Sequence, residues 1–220
     1  MARILIIIAV LFALPATLSA QAGKNLELWS SVWTPDKEIH KSVVYISCRL
    51  DSITTCAGSG CLIEGREIVT AAHVVDGACE IYVLFHNGVK LKAKMKSFNT
   101  ERDFAILELS EDAPESAVHS KISTEEIAVG EEVEVCGFSG NSGLRHFSSK
   151  VLGTDGDRVV MSGYVAQGDS GGPIFNSKGE VISIVSGGCL WLKNQTVTGE
   201  AGAAKVTTPI LGPVARKPYQ

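Results

Sequence analysis

The feature that most constrains the fold of this chain is a series of short β-rich runs separated by turn residues. Two sets of about six runs can be distinguished, with a polar stretch from residue 110 to about residue 126 between them. The first set reads SVVYISC, SGCLIEG, EIVTAA, EIYVLF, VKLKAKMKSF and FAILEL, and the second reads EEVEVCGF, HFSSKVLG, DRVVMSG, GPIFN, EVISIVSG and AAKVTTP. No useful window shows a 3.6-residue apolar period, so helices should be few and short. The pattern predicts an all-β protein built from two antiparallel barrels or sandwiches.

The first residues have the layout of a secretory signal peptide. A positive start with Arg3 is followed by the apolar run ILIIIAVLFAL and the small-residue stretch ATLSA, so we expect cleavage after Ala20. The alternative is an uncleaved membrane anchor, but a spanning helix needs about 20 apolar residues and this run is shorter. The mature chain is therefore expected to be secreted or periplasmic, with no membrane contact after signal cleavage.

Composition argues against several classes of protein. The 220 residues are 45% hydrophobic and 20% charged, which is typical of globular proteins and not of disordered or fibrous ones. Loss of residues 1–20 removes Arg3 and no acidic residue, which leaves 19 basic against 24 acidic residues and a formal net charge of −5. This mildly acidic, unpatterned balance gives no electrostatic reason to expect nucleic acid as a partner.

Six cysteines lie in the mature part of the chain. An even number in an exported protein indicates disulfides before metal ligands, and no C-x2-C pair with zinc-site spacing occurs. We therefore predict disulfide bonds, no metal site and no cofactor. Six cysteines allow fifteen pairings, among which the sequence does not select. The pairing that we favour is Cys48–Cys56, Cys61–Cys79 and Cys136–Cys189.

Three segments carry candidate chemistry: TAAHVV with His73, RDFAILEL with Asp103, and QGDSGGP with Ser170. Each has an ordinary structural explanation when taken alone. The histidine could be packed or on the surface, the aspartate could be a solvated acid at a strand start, and the serine could belong to a tight turn, because Gly, Asp, Ser and Pro are turn residues. Only the combination of the three segments indicates a catalytic site.

In that order, the three segments resemble the signature segments of the trypsin-like serine peptidases, in particular the compact secreted bacterial members. The resemblance extends to GSGCLI at 58–63 and ISIVSGG at 182–188, and covers roughly residues 41 to 208. It implies two antiparallel six-stranded β-barrels with the active site in the cleft between them. It also implies a serine endopeptidase that acts on polypeptides, and we expect a monomer.

The resemblance assigns Ser170 as nucleophile, His73 as general base and acid, and Asp103 as the carboxylate that orients the imidazole. A serine hydroxyl is a weak nucleophile and needs such a base, whose ordinary pKa near 6.5 suits the role. The N–H groups of Gly168 and Ser170 would form the oxyanion hole, where glycine permits both the required dihedral and the approach of substrate. An inactive relative that binds peptides is the alternative, but no triad residue is missing.

Two other hydrolase classes fit the sequence less well. GDSGG also matches G-x-S-x-G, the nucleophile elbow of α/β-hydrolases, but that fold needs its histidine after the serine. All five histidines precede Ser170. A subtilisin-like order could recruit Asp51, but it again requires an α/β body.

Substrate recognition is expected at Tyr164, Gln167, Ser186, Gly187 and Gly188. By resemblance, the segment from Ser186 to Gly188 would pair with substrate as an added strand, with the Ser186 hydroxyl near Asp103; a plain strand ending in a glycine turn is the alternative. The trypsin branch has an acidic residue six positions before the nucleophile, where this chain has Tyr164. We therefore expect an apolar or small P1 residue.

Activation is expected to differ from that of trypsin. Trypsin-like zymogens are cut ahead of an Ile-Val-Gly-Gly segment, and the new ammonium pairs with the acid before the serine, here Asp169. No such segment occurs between residues 21 and 41. Asp169 then needs a basic side chain, the terminus left by signal cleavage, or water, and no propeptide cut should be required. HtrA-type relatives carry Asn where this chain has Asp169.

The expected organisation follows from these assignments. Residues 1–20 form the signal peptide and 21–40 an N-terminal extension, and the peptidase domain spans 41–208. Within it, the first barrel covers about 41–110, a linker 111–129 and the second barrel about 130–208, followed by a tail at 209–220.

Overall fold

A computed structural model describes residues 33–139, 143–155, 158–186 and 206–209. Twelve β-strands and two short helical segments lie in this part of the chain. The first six strands are β1 (Val43–Arg49), β2 (Thr55–Leu62), β3 (Glu67–Thr70), β4 (Glu80–Leu84), β5 (Lys90–Asn99) and β6 (Phe104–Leu109). The second six are β7 (Glu132–Phe138), β8 (Leu144–Asp155), β9 (Arg158–Met161), β10 (Pro173–Phe175), β11 (Val181–Ile184) and β12 (Val206–Pro209). The helical segments are a 3-10 helix, Glu38–Ser42, and α1, Ala72–Val75.

The first six strands close into an antiparallel barrel in the order β1-β2-β3-β6-β5-β4. In β6, buried and half-buried residues alternate, so that Ala105, Leu107 and Leu109 point into the barrel. This is the period-2 pattern that a strand with one core-facing side requires. The interior is filled by apolar side chains from the other strands, among them Val44, Ile46, Leu62, Ile68 and Val83.

The second six strands form an antiparallel sheet in the order β11-β10-β7-β8-β9-β12, which curls as a half-barrel in its described part. Its apolar side packs Val135, Val151, Met161, Ile174 and Ile182 into a second core. The predicted all-β class with two six-stranded lobes is confirmed. Each predicted β-rich run coincides with a strand, and the described helices are short, as expected.

The alternating run in β5 shows why one face of this strand is exposed to solvent. Lys92 and Lys94 are exposed and form ion pairs with Glu80 (3.5 Å) and Glu108 (2.9 Å) on the neighbouring strands. Ala93 lies between them and is buried. Cross-strand pairs of opposite charge support the register of this sheet, with Lys94 directly opposite Glu108.

The segment from Trp33 to Ser42 packs against both lobes. The Trp33 ring is nearly buried and meets Phe138 of β7 edge-on, with ring centroids 4.5 Å apart. The predicted signal peptide and its cleavage site lie outside the described residues. Within them, no helix has the length and apolar character needed to cross a bilayer.

The cysteines correct part of the predicted disulfide pattern, because the five that the structure describes are all free thiols. Cys61 is buried opposite Val43, whereas the amide of the exposed Cys79 bonds to the carbonyl of Arg49. Those two partners stand at opposite ends of β1, about 20 Å apart at the usual rise per residue. The predicted Cys61–Cys79 bridge is therefore wrong.

The other two predicted bridges have different outcomes. Cys48 and Cys56 are directly opposite each other across β1 and β2 but are free thiols, and the Cys56 thiol donates to the Val74 carbonyl at 3.2 Å. Cys189, the predicted partner of Cys136, lies outside the described residues.

Candidate active site

His73 is presented by the turn that follows β3. Ala71 and Ala72 are buried, so the chain can turn tightly against the barrel and start α1 there. The imidazole that follows is about half exposed, at 48% of its side-chain surface. A histidine held by a buried backbone but open to solvent on one side is accessible to an outside reactant.

Asp103 faces His73 from the turn before β6. Its carboxylate accepts the backbone N–H of His73 at 2.9 Å, and its two oxygens lie 3.0 and 2.8 Å from His73 Nδ1. Asp103 has a φ of +54°, in the left-handed region that only a few non-glycine residues tolerate. Such a conformation costs about 1–3 kcal/mol. The surrounding turn holds it, with Arg102 N–H donating to Asn99 Oδ1 at 2.8 Å.

Behind Asp103, Ser186 and Arg158 extend the hydrogen-bonded line. Ser186 Oγ donates to Asp103 Oδ2 at 2.5 Å, as the resemblance implied. Arg158, at the start of β9, donates from Nη1 to Ser186 Oγ at 3.4 Å and from Nη2 to the carbonyl of Glu101 at 3.0 Å. Sequence reasoning missed Arg158, because no motif links it to a turn in the other lobe.

The electrostatics of this pair favour an ionised aspartate and a basic histidine. The hydrogen bond to Asp103 raises the pKa of His73 above its ordinary value and outweighs the opposing effect of burial. Burial alone would raise the pKa of Asp103, but hydrogen bonds from the His73 ring, Ser186 and the His73 amide bring it below its ordinary value. A hydrogen-bonded carboxylate of this kind fixes which ring nitrogen carries the proton, and leaves the other nitrogen free to act as a base.

The turn that carries Ser170 packs against the same part of the first barrel. The backbone carbonyl of Ser170 accepts a hydrogen bond from the N–H of Ser59 at 2.7 Å. A Cβ on Gly58 would lie 2.7 Å from the Val74 side chain and 2.9 Å from the Ser170 carbonyl, so the backbones that carry His73 and Ser170 meet around this glycine. The next residue, Gly171, has a φ of +83° and no room for a side chain against Ser59 and Thr70.

Gly168 and Ser170 present the two amides that were predicted to form an oxyanion hole. Gly168 has a φ of +101°, and its carbonyl accepts the buried Ser59 hydroxyl at 2.7 Å. The same hydroxyl accepts the amide of Phe138 on β7 at 2.8 Å. Within the described residues no acceptor takes the N–H of Gly168 or of Ser170. Sequence reasoning missed this role of Ser59, although it stands in the quoted GSGCLI segment.

Asp169 has a basic partner, which the sequence left open. Its side chain is 1% exposed, and its Oδ2 lies 3.6 Å from the Arg145 guanidinium and accepts the Ala166 amide at 2.9 Å. Arg145 also donates to the Tyr164 carbonyl at 2.5 Å and lies over the Phe147 ring at 4.6 Å. Burial raises the pKa of Asp169, against the opposing effects of the Ala166 amide and Arg145. Oδ1 has no hydrogen-bond partner in the described part of the chain.

The predicted substrate-binding residues are only partly described. The side chains of Tyr164 and Gln167 are exposed, with 58% of Tyr164 accessible. Gly187 and Gly188 lie outside the described residues, so the predicted substrate strand can be followed only as far as Ser186. These assignments stay predictions.

Residues 58–184 match the family described as the trypsin-like peptidase domain. A two-lobed β fold, with a histidine, an aspartate and a serine turn at the junction of the lobes, agrees with that match. The chain therefore belongs to the trypsin-like peptidase family.

Similar proteins include peptidases of DegP and HtrA type. A probable periplasmic serine endoprotease DegP-like from Halomonas elongata is 37% identical over 138 residues, which are 59% of this chain and 29% of the relative. Serine protease HTRA4 from Homo sapiens is 31% identical over 143 residues, 59% of this chain and 30% of that protein. The chain thus spans less than a third of the length of these relatives. HtrA-type relatives were expected to differ from this chain by an Asn at the position of Asp169.

Among solved structures, the active form of the Rv3671c protease from M. tuberculosis superposes with a TM-score of 0.65. The superposition covers 79% of this chain and 77% of that chain, at 22% sequence identity. The serine endoprotease from Yersinia pestis gives a TM-score of 0.62 at 23% identity, over 80% of this chain and 63% of that one. At these identities the likeness establishes a shared fold.

Proposed function

We propose that the protein is an exported serine endopeptidase that hydrolyses peptide bonds through an acyl-enzyme on Ser170. The observation that carries the proposal is the hydrogen-bonded line from Ser186 to Asp103 to His73, placed beside the turn that holds Ser170. A carboxylate with 16% of its side chain exposed, orienting a half-exposed imidazole, is the arrangement that activates a serine hydroxyl. Family membership and the names of the relatives support the same reaction class.

In the proposed reaction, Ser170 Oγ attacks the scissile carbonyl carbon while His73 takes the hydroxyl proton. The proton goes to Nε2, because Nδ1 is bonded to Asp103. The carbonyl oxygen becomes an oxyanion that accepts the N–H groups of Gly168 and Ser170. His73 then gives the proton to the leaving amine, and water releases the acyl group by the same steps. Loss of one oxyanion donor typically costs about 3 kcal/mol of transition-state stabilisation.

The proposed route to the active form needs no propeptide cut. In trypsin-like zymogens the ammonium created by cleavage would pair with the acid before the serine. In this chain the guanidinium of Arg145 lies 3.6 Å from the buried Asp169 and can serve as that cation. N-terminal sequencing of the active protein tests this, with a start at or near residue 21 expected. A start well beyond that position would contradict the proposal.

The substrate and location are part of the proposal. We propose export to the periplasm or the medium, on the strength of the signal-peptide pattern and of relatives described as periplasmic. The P1 residue is small or apolar, since the candidate pocket position is Tyr164 rather than an acid. Digestion of a peptide library tests this preference, and cleavage mainly after Lys or Arg would contradict it.

Labelling with a fluorophosphonate tests the activity itself. The native protein should be labelled at Ser170, the Ser170→Ala variant should not be, and the exposed Ser177→Ala variant should match the native protein. Equal labelling of the native and Ser170→Ala proteins, or no labelling of either, would remove the case for catalysis. No labelling would instead favour an inactive relative that binds peptides in the same cleft.

A further inference from the structure

A second cluster of reactive side chains lies away from the candidate active site, where the N-terminal segment meets the second sheet. It consists of His40 from the 3-10 helix, Glu134 of β7 and His146 of β8. One donor atom from each side chain can be chosen so that all three lie within 4.8 Å of one another. Neither the candidate active site nor the sequence motifs account for this convergence.

The distances in the cluster fit a small metal ion. Glu134 Oε1 lies 3.3 Å from His40 Nε2 and 3.0 Å from His146 Nδ1. With Zn–N and Zn–O bonds of about 2.0–2.1 Å, tetrahedral geometry places neighbouring ligand atoms about 3.3–3.4 Å apart. Two imidazoles and one carboxylate are a known zinc ligand set that leaves a fourth position for water. Calcium and magnesium prefer all-oxygen sites, so the two nitrogen donors favour a transition metal.

A carboxylate outside the cluster orients one of its histidines. Asp36 Oδ2 lies 2.8 Å from His146 Nε2, on the opposite side of the ring from the Nδ1 that faces Glu134. This carboxylate–histidine arrangement is typical of zinc sites, because it fixes the proton on one ring nitrogen and leaves a lone pair on the other. It is an observation independent of the three ligand distances.

His40 supplies a rigid ligand. Its side chain has no exposed surface. Nδ1 is buried without a hydrogen-bond partner among the described residues, so the polar contacts of the ring are confined to Nε2, on the side of Glu134.

We propose that His40, Glu134 and His146 bind one divalent transition-metal ion, with Zn²⁺ as the best fit, water as fourth ligand and Asp36 as the outer carboxylate. The ion ties the segment before the first barrel to the β7–β8 hairpin of the second lobe. Its effect is therefore on stability and on the relation of the two lobes, and it does not depend on the proposed peptidase activity.

Lys37 competes for this site. Its ammonium donates to both carboxylate oxygens of Glu134 at 2.8 Å, and would repel a cation. The side chain is 56% exposed, so it can leave Glu134 for solvent when the metal arrives. Replacement of Lys37 by Met should therefore increase metal affinity, whereas a cluster that is only an ion-pair network would simply lose a contact.

The test uses the full chain in a Ser170→Ala background, which makes it independent of self-digestion. Protein freed of metal with EDTA is titrated with Zn²⁺ by calorimetry and with Co²⁺ by visible absorption, where a tetrahedral site gives intense d–d bands. One ion should bind per chain, and Zn²⁺ at a hundredfold excess over Kd should raise Tm by about 5–10 °C. Absence of saturable binding near one ion per chain would overturn the proposal.

Matched variants locate the site. Asp36→Asn should weaken binding about 10–100-fold, and Glu134→Gln and His146→Ala should weaken it more. Glu132→Gln, on the same strand but 78% exposed, and His119→Ala, outside the cluster, should bind as the parent does. Equal affinity of the Glu134→Gln and Glu132→Gln proteins would contradict the assignment. Should a ligand variant fail to fold without metal, Asp36→Asn decides the matter, because Asp36 is 70% exposed.

Discussion

Replacement of Arg145 by Met removes the ion pair with Asp169, next to Ser170, and so measures what this pair contributes to stability. Arg145 reaches Asp169 at 3.6 Å and donates to the Tyr164 carbonyl at 2.5 Å, so it contacts both ends of the segment that carries the predicted oxyanion hole. Met keeps much of the length and apolar stem of Arg and removes the charge and the donors. The Asp169 carboxyl, which is 1% exposed, then has no cation beside it in the described part of the chain.

The expected loss in free energy of unfolding has two parts, one from the charge of Arg145 and one from its uncharged contacts. Two unit charges 3.6 Å apart attract by about 4–5 kcal/mol at an effective dielectric constant of about 20. Because Arg145 is 33% exposed, solvent screens part of this, and we expect about 2 kcal/mol from the charge. The hydrogen bond to Tyr164 and the contact with the Phe147 ring add about 1 kcal/mol. The free energy of unfolding at pH 7 should therefore fall by about 3 kcal/mol.

The charged part should depend on pH in a defined direction. The pKa of Asp169 is already raised in the folded protein, so stability is lost as pH rises from the ordinary pKa of the acid to that raised pKa. Loss of Arg145 raises the pKa further and strengthens this penalty. Below the ordinary pKa of an aspartate, near 3.8, the folded acid is neutral with or without Arg145, because its folded pKa is raised, and it does not need the cation. The loss should then shrink to the neutral part, about 1 kcal/mol.

Urea unfolding in the Ser170→Ala background, at pH 7 and at pH 3.5, measures both parts. Arg66→Met is the matched control, because Arg66 pairs at 3.7 Å with Glu108 and donates to the Ser110 carbonyl, but its acid is on the surface. This control should change stability within experimental error. Adding Asp169→Asn to Arg145→Met should recover most of the charged part, since no buried charge remains. Equal losses for the two arginine variants, or a loss that does not change with pH, would refute the reasoning.

Three further outcomes follow from the site. The ascending limb of kcat/KM against pH should have its midpoint above 6.5, because the bond to Asp103 raises the pKa of His73 and only the unprotonated ring acts as base; a midpoint below 6.5 would contradict this. Ser186→Ala should lower kcat/KM about tenfold and shift that limb, since Asp103 loses a charge-assisted hydrogen bond of 2.5 Å; an unchanged profile would give Ser186 no role in positioning. Mild oxidation should join Cys48 to Cys56, because their Cα atoms pair directly across two strands at a separation that a disulfide can span. Peptide mapping should find neither residue linked to the buried Cys61.

Much of the candidate site could be proposed from the sequence because its signals are local. His73, Asp103 and Ser170 each stand in a short segment whose residue types follow from the proposed chemistry, and their order excluded other hydrolase folds. Gly168 was predicted in the oxyanion hole because glycine permits unusual backbone dihedrals, and it has a φ of +101° in the structure. The strands could be predicted for the same reason, since β-branched runs between turn residues are visible without any knowledge of neighbours.

The errors and omissions concern pairs that are distant in sequence. The Cys61–Cys79 bridge failed because strand register, not spacing, decides which cysteines meet. Ser59 and Arg158 were missed because a buried serine and a strand arginine have no local signature of a role in another lobe. The cluster of His40, Glu134 and His146 joins three elements, and nothing in their spacing indicates it.

The sequence by itself determined the strand content, the family and the candidate triad, because these depend on local propensity and on short motifs. Only the tertiary structure decided the partner of Asp169. A buried carboxylate is stabilised by whichever cation the fold brings within a few ångströms, and in this chain that cation is Arg145 on β8. Electrostatic interactions depend on distance in space, so they become visible only when the strands have been placed.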